Sequence, residues 1–561
     1  MNVAEAQAPM GGTGTAEELL ARLRASDPAR RVGPLATAHA EAAMGQFAAS
    51  GVAFAANSEA METRYYDAVR ELIACIKPTA GDRPILNEGG VYHGCWLEST
   101  GTINAELLSR FMPQVAADTF AGFARHQRGD GLFPYKLTAD GPVFSQIQTV
   151  TPLARSVWTH HRLNGRDSDY LARLYHAMAS NDAWLARWRD TRGTGAVEAF
   201  CTFDTGHDLS ARFWHIPDSP EGNDPRRYRA DNPLLPFIAP DLTANVACQR
   251  DYLALMAEAL GESGDQWRDK AEASRQALFA QCFDEEDGFF YDRDRNDQWV
   301  RVQSDVLLRV LACEVGDEDF FAEALSRYLL NTRKFFAKYP FTSLALDDPR
   351  FDPAFDYNSW CGPTNFLSLI RAPHAFEHHG RHVELTWMLY PILSALFRSE
   401  RFAQTLNPFT GRAGFTEVYS PSILCLLDFV ERLSGILPRP EGTLWFTGLV
   451  PYQVEHRDAS HATGYARVVD GRRFELVNDG ITATAWRDGE WLFSLPKGVR
   501  AVTGRDGSLK GLIGMSVAPI AGAVSSPEGT LPFRIEANEQ LEFVGGTLVR
   551  TRPPRLTHPT Y

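Results

Sequence analysis

The chain has 561 residues, of which 44% are hydrophobic and 22% charged, with a formal net charge of −14 and a pI near 5.6. That length and apolar content suffice for one large core, or for a large domain beside a smaller one. The acidic balance, with no concentrated basic surface, argues against nucleic acid and anionic membrane surfaces as partners.

The first residues, MNVAEAQAPMGGTGTAEELLARLRA, lack a basic start followed by a continuous apolar stretch, so no secretory leader is expected. No later run approaches the roughly eighteen apolar residues of a membrane span. Residues 1–60 are expected to form a helical extension, mobile at GGTGT, and the absence of a preceding strand excludes a dinucleotide-binding loop there. The cysteines (Cys75, Cys95, Cys201, Cys248, Cys282, Cys313, Cys361, Cys425) lie singly, without CxxC spacing. They read as reduced, buried thiols of a cytoplasmic protein.

Between about residues 61 and 436, apolar residues recur at three- and four-residue spacing. The pattern predicts helices over 105–127, 167–187, 241–260, 266–282, 305–315, 320–330, 382–397 and 421–433. Short polar breaks such as GESGD pair them into hairpins, and repeated hairpins imply a ring or a solenoid. Long stretches rich in Gly, Pro, Asp and aromatics (87–102, 128–148, 200–240, 342–364) read as functional loops. FDEEDGFFYDRDRNDQWV predicts a small β-hairpin around its Asp-Gly turn. After LPRPEGT (437–443) the period changes to two, in runs such as YARVV, RRFELV and ITATAW. Residues 444–561 are therefore expected to be an antiparallel β-sandwich, and the chain mainly α with that smaller β domain at its end.

Two segments in the helical region each set one carboxylate among aromatic and arginine side chains: GHDLSARFW (206–214) and FTEVYSPS (415–422). Taken alone, Asp-Leu-Ser reads as a cap for a helix starting at Leu209. Taken together, Asp208 and Glu417 are a sufficient kit for cleaving a glycosidic bond, one carboxyl protonating the leaving oxygen while the other activates water or attacks carbon.

GHDLSARFW resembles the GWDxSxRW signature of the inverting six-hairpin (α/α)6-barrel glycosidases, the group of trehalases, mannosyl-oligosaccharide glucosidases and mannosylglycerate hydrolases. Further segments are similar to that group in the same order: GVYHGCWLEST (90–100), HQRGDGLFPY (126–135), SQIQTVTPLARSVW (145–158), the helix APDLTANVACQRDYLALMAEALGE, the hairpin DEEDGFFYD, YNSWCGPTNF (357–366, resembling WRGPxW) and FTEVYSPS. The resemblance implies an (α/α)6 toroid, Asp208 as general acid and Glu417 as general base. It also marks substrate-binding candidates: Trp96, Trp214 and Trp360 to stack on a pyranose, with Glu98, Asp130, Gln148 and Arg212 to bond its hydroxyls and Tyr419 beside them. The chain departs from the pattern where His207 replaces a Trp, where an inserted residue separates Arg212 from Trp214, and where Cys361 replaces the Arg of WRGP.

Inversion needs a carboxyl separation of about 6.5 to 9.5 Å, with room for a water, and retention about 5 Å; the resemblance implies inversion. Asp208 must be held protonated, by burial and by the charge of Glu417. The leading reading is an exo-acting glycoside hydrolase of an α-linked disaccharide, short oligosaccharide or small glycoside, trehalase- or α-glucosidase-like. The alternatives are a sugar epimerase or isomerase, which needs His207 and His378 to converge, and an inactive sugar-binding barrel. His374, His378, His379 and His382 read as structural, and DEEDGFFYDRD lacks the EF-hand pattern, so no metal and no cofactor are expected.

Overall fold

The computed structural model describes residues 16–561 apart from 80, 82, 166 and 452–460. The Gly11–Thr15 run lies outside the described residues.

Among the described residues, beyond the N-terminal helices Ala16–Ala25, Pro28–Val32 and Ala38–Ala49, the ring helices follow in chain order: α1 (Glu59–Ala74), α2 (Ala105–Leu108, after a π-helical turn Thr100–Asn104), α3 (Pro113–Arg125), α4 (Leu153–Asn164), α5 (Ser168–Trp188), α6 (Pro240–Ala259), α7 (Asp265–Cys282), α8 (Val306–Leu311), α9 (Glu318–Ala324), α10 (Ala372–His378, after a turn Phe366–Leu369), α11 (His382–Arg398) and α12 (Ser420–Ser434). The even-numbered helices form an inner ring: α2 touches α4, α4 touches α6, α6 touches α8, α8 touches α10, the turn before α10 touches α12, and α12 closes on α2. Odd-numbered helices lie outside, with α3 on α2, α5 on α4, α7 on α6, α11 on α10 and α1 on α12.

The two rings differ in sequence for a physical reason. Every residue of α12 is buried, and most of α6 is buried as well, because an inner helix meets protein all round. On the outer α7 only a stripe (Trp267, Ala271, Ser274, Ala277, Leu278, Cys282) is buried. Side-chain caps set some starts, as where Asp167 accepts from Tyr170 N at 2.9 Å at the head of α5. The single helix expected over 105–127 is two, because Pro113 has no N–H for a continuing helix and instead opens α3 at its first turn.

The connections are unequal at the two ends of the ring. Those leading from an inner helix out to the next outer one are short (109–112, 165–167, 260–264, 312–317, 379–381). Those leading from an outer helix back inward are long: 75–99, 126–152, 189–239, 283–305, 330–365 and 399–419. The expected hairpin lies in one of the long loops, where Phe283–Asp284 pairs with Phe289–Phe290 and Asp292–Arg293 with Trp299–Val300.

The C-terminal region forms two antiparallel sheets. One runs, in spatial order, Ala53–Ala56, Thr463–Val469, Arg472–Asn478, Thr482–Arg487, Glu490–Pro496, Ile520–Ser526, Gly529–Ile535. The other runs Ile436–Pro438, Thr443–Thr447, Val499–Gly504, Leu509–Gly514, Gln540–Val544, Thr547–Arg552. Phe446 of the second meets Phe474 and Phe493 of the first, with ring centroids 5.9 and 5.3 Å apart.

Two sequence expectations are corrected here. LPRPEGT is a hairpin turn within the second sheet, since Ile436–Pro438 pairs with Thr443–Thr447. The N-terminal segment also contributes an edge strand, Ala53 standing opposite Ala466. Helix Ala16–Ala25 covers that edge, with Leu19 and Leu23 packed among Ala53, Ala55, Ala466 and Val477, and Arg24 bonded to Glu475. All eight cysteines are buried and unpaired. No helix among the described residues is long and apolar enough to cross a membrane.

Candidate active site

Each long loop carries polar groups toward the inner-helix starts, and they assemble around Asp208. Asn358 Nδ2 donates to Asp208 Oδ2 at 2.7 Å. The carboxyl is part-exposed yet surrounded by protein, and its pKa is pushed up to about 8, first by burial and then by the charge of Glu98. A raised pKa favours the neutral form of the Asp208 carboxyl at neutral pH. The carboxylate charges that raise it are those of Glu98, first, and Asp218, in place of the expected Glu417.

Glu98 is buried against Gly206, two residues before Asp208. A Cβ on Gly206 would stand 1.8 Å from Glu98 Oε2, and the backbone there has φ +66°, so only glycine fits on both counts. Glu98 Oε1 lies 3.8 Å from Arg309 Nη2 and 3.9 Å from Arg371 Nη2 without a hydrogen bond to either. Burial, followed by the Arg309 charge, lowers Arg371 to about 10. Further buried polar atoms without a protein partner are Gln148 Oε1, Trp360 Nε1, Asn365 Nδ2 and Arg371 Nη1. Buried donors and acceptors are costly to leave unmatched, so these atoms are available to a polar ligand.

His207 and Arg212, flanking Asp208, are scaffold. Arg212 is buried and bonded to Asp292 (2.7 Å to each oxygen) and to Asp241 (3.0 and 2.9 Å), so the hydroxyl-bonding role expected of it has no free donor behind it. Its Nη1 also lies 2.7 Å from His207 Nδ1. A guanidinium can only donate, so Nδ1 accepts and the imidazole proton is assigned to Nε2, 3.2 Å from Asp305 Oδ1. Burial, then the Arg309 charge, lowers His207 to about 3, and its ring packs on Trp360 at 4.5 Å. His378 instead lines a cleft with His374, His382 and Trp445, so the two histidines that an epimerase would need do not converge.

The other candidates divide. Trp96 is half-buried, with Lys136 Nζ 3.9 Å from its ring centroid and the Tyr92 edge at 5.6 Å. Trp360 is wholly buried beneath the Asp208 loop, and Trp214 is 52% exposed. Asp130 is engaged by Arg128 (2.8 and 2.7 Å) and by Trp184 Nε1 (3.0 Å), and Arg128 holds its carboxyl well below the usual range. It braces its own loop. Tyr419 is buried, its hydroxyl donating to Glu88 Oε1 at 2.8 Å. Glu88 also accepts from Ser99 and Thr100, and burial raises it to about 7.

Glu417 is exposed between two left-handed residues, Thr416 (φ 62°) and Val418 (φ 49°). The segment is clamped by Val91 N to Thr416 Oγ1 (3.1 Å), Cys75 Sγ to Val418 O (3.3 Å) and the Tyr419–Glu88 bond. Its charge acts on Glu71 at the end of α1. The segment reaches Asp208 through a relay: Tyr92, packed on Tyr419 at 5.8 Å, donates to Gln404 Oε1 (2.7 Å), Gln404 Nε2 to Asn358 Oδ1 (3.1 Å), and Asn358 to Asp208.

Sequence reasoning missed Asn358, Gln404, Arg309, Arg371 and Glu88. Asn358 stood inside a recognised segment. The others carry no local signal, since a lone Arg on a helix or a Gln in a loop becomes part of a site only when the ring closes.

Similarity to known proteins agrees with this geometry. No curated protein matches the sequence. Among solved structures, the GH63 mannosylglycerate hydrolase from Thermus thermophilus, in complex with Tris and D-glycerate, superposes with a TM-score of 0.55 at 16% identity, over 65% of this chain and 99% of that one. A sialidase superposes at 0.57 with 15% identity, over 87% of this chain and 44% of that one. The GH78 rhamnosidase of Bacillus sp. GL1 superposes at 0.50 with 12% identity, over 76% and 40%. At these identities the likeness is one of fold. Residues 92–422 match the mannosylglycerate hydrolase MGH1-like glycoside hydrolase domain. With more than half its length so matched, the chain belongs to the MGH1-like glycoside hydrolase family, within the six-hairpin glycosidases.

Proposed function

We propose that the protein is an inverting, exo-acting glycosidase that removes one sugar from an α-linked disaccharide, short oligosaccharide or small glycoside, with Asp208 as general acid and Glu417 as general base. The observation that carries this reading is the state of Asp208: a carboxyl raised to about 8, fixed by Asn358 and acted on by Glu98, whose buried Oε1 lacks a hydrogen-bond partner. A protonated acid at neutral pH gives its proton to the glycosidic oxygen as the bond to the anomeric carbon breaks. Glu417 removes a proton from the water that attacks the opposite face of that carbon. Left-handed backbone on both sides of Glu417 is strain of the kind that collects at functional segments.

The catalytic unit is the helical ring of residues 61–436, with the two C-terminal sheets as a β-sandwich to which the N-terminal strand adds an edge. Eight unpaired thiols suit a reducing, cytoplasmic compartment. The test is NMR of the first anomer released from α-linked glucosides and mannosides. A β anomer supports inversion, whereas an α anomer means retention and makes Glu417 the first candidate nucleophile.

A further inference from the structure

The mouth beside Asp208 differs chemically from its floor. Leu209, next in the chain, has a left-handed backbone (φ 60°) and a side chain 56% exposed. Both features are unfavourable for a leucine in water, and both are enforced. The Leu209 carbonyl accepts from Trp214 Nε1 at 3.1 Å and from Cys361 Sγ at 3.2 Å, and the first of these bonds sets the half-exposed Trp214 indole against the Leu209 backbone, so that two exposed apolar side chains stand at one ledge of the loop. The donors are residues at which the chain departs from the glycosidase pattern: Cys361 stands for an arginine, and Trp214 is displaced by an insertion.

Charge narrows the occupant. The guanidinium acting on Cys361 is that of Arg350, already paired with Asp348 at 2.7 Å. The carboxylates nearby are exposed: Asp218, whose charge raises Asp208, and Asp352, whose N–H donates to Cys361 O at 2.8 Å. An anionic leaving group meets repulsion here, and a neutral apolar one meets surface to cover.

Resting on the glycosidase reading above, we infer that the Leu209–Trp214 ledge binds the aglycone, and that the preferred substrates are glycosides whose leaving alcohol is uncharged and apolar or aromatic. The sugar occupies the polar floor at Glu98 and Gln148, and the aglycone lies across the ledge.

The test uses ethyl, 2-phenylethyl and 2-carboxyethyl α-glucosides and α-mannosides, whose leaving alcohols are alike in acidity, so that KM reports aglycone binding. Calorimetric titration of the full-length Asp208→Asn variant with the same compounds, turnover being slowed at least about 10²-fold, gives their binding. Burial of a phenyl ring predicts KM and Kd for the phenylethyl glycoside at least about fivefold below the ethyl one, and no gain for the carboxyethyl one. Trp214→Ala raises the phenylethyl values toward the ethyl values. Equal values for the ethyl and phenylethyl compounds, a preference for the carboxylate, or indifference to Trp214→Ala overturns the inference. Binding of the phenylethyl compound that depends on Trp214, without hydrolysis of any glycoside, keeps the ledge and removes the glycosidase reading. Hydrolysis without aglycone preference does the reverse.

Discussion

Asp208 is held in a state that costs the fold stability, and replacing it by asparagine measures that cost. Its pKa is about 8 in the folded chain against a reference of 3.8. Between those values the folded protein keeps a proton that the unfolded chain releases, so stability falls by about 1.4 kcal/mol for each pH unit across that window. Integrated from the reference value, the loss reaches ~4 kcal/mol at pH 7 and levels off above pH 8. Asparagine does not titrate, and its carbonyl still accepts from Asn358 Nδ2. Asp208→Asn should therefore match the wild type near pH 4 and become progressively more stable as pH rises toward 8. With an unfolding entropy of about 2 cal/mol/K per residue, 4 kcal/mol in a chain of this length corresponds to a Tm gain of ~3 °C. Scanning calorimetry of both proteins at pH 4.5, 6, 7 and 8 reads the difference directly, other titrations cancelling in the comparison. A Tm difference independent of pH, or a variant less stable at pH 8, would refute the account of Asp208 as a desolvated carboxyl with a raised pKa. The same variant should lose at least about 10²-fold in kcat on alkyl glycosides and far less on α-glycosyl fluorides, whose leaving group needs no proton.

Glu417→Gln should lower kcat by at least about 10²-fold on alkyl glycosides and fluorides alike, because water activation is common to both; near-wild-type rates remove Glu417 from the mechanism. The kcat/KM of the wild type should fall about tenfold per pH unit above pH 8, as Asp208 loses its proton, and a flat profile to pH 9.5 contradicts its role. Gly206→Ala places a methyl 1.8 Å from Glu98 Oε2 at φ +66°, so both Tm and kcat/KM should drop, the latter by more than about tenfold as Glu98 and Asp208 shift. Arg212→Met leaves the buried carboxylates of Asp241 and Asp292 without their shared cation; urea unfolding should show a loss of ~3–5 kcal/mol.

Much of this architecture was legible in order along the chain. Periodicities near 3.6 and then 2 separate the helices from the strands because each element must turn one face, or every face, inward. The Asp208 segment stood out because one carboxylate lies there among His207, Arg212 and Trp214 in the chain. Four of the six long connections announced themselves by composition and a fifth by its hairpin, whereas 399–419 did not stand out as a loop in sequence.

What local sequence could not encode is which distant groups meet. The strand Ala53–Ala56 finds its partner some four hundred residues away, and no pattern in four alanine-rich residues names that edge. The meeting of Asp208 with Asn358 and Glu98 exists because the third, fifth and first long loops converge over the inner helices, and with it comes the raised pKa of Asp208. Arg212 shows the converse. In sequence it looks like a ligand contact, but burial obliges its guanidinium to find partners, and Asp241, Asp292 and His207 between them claim its donors. Residue type and spacing determine what each segment can form. Desolvation and proximity, which only the closed ring creates, decide which side chains are scaffold and which are left free to act.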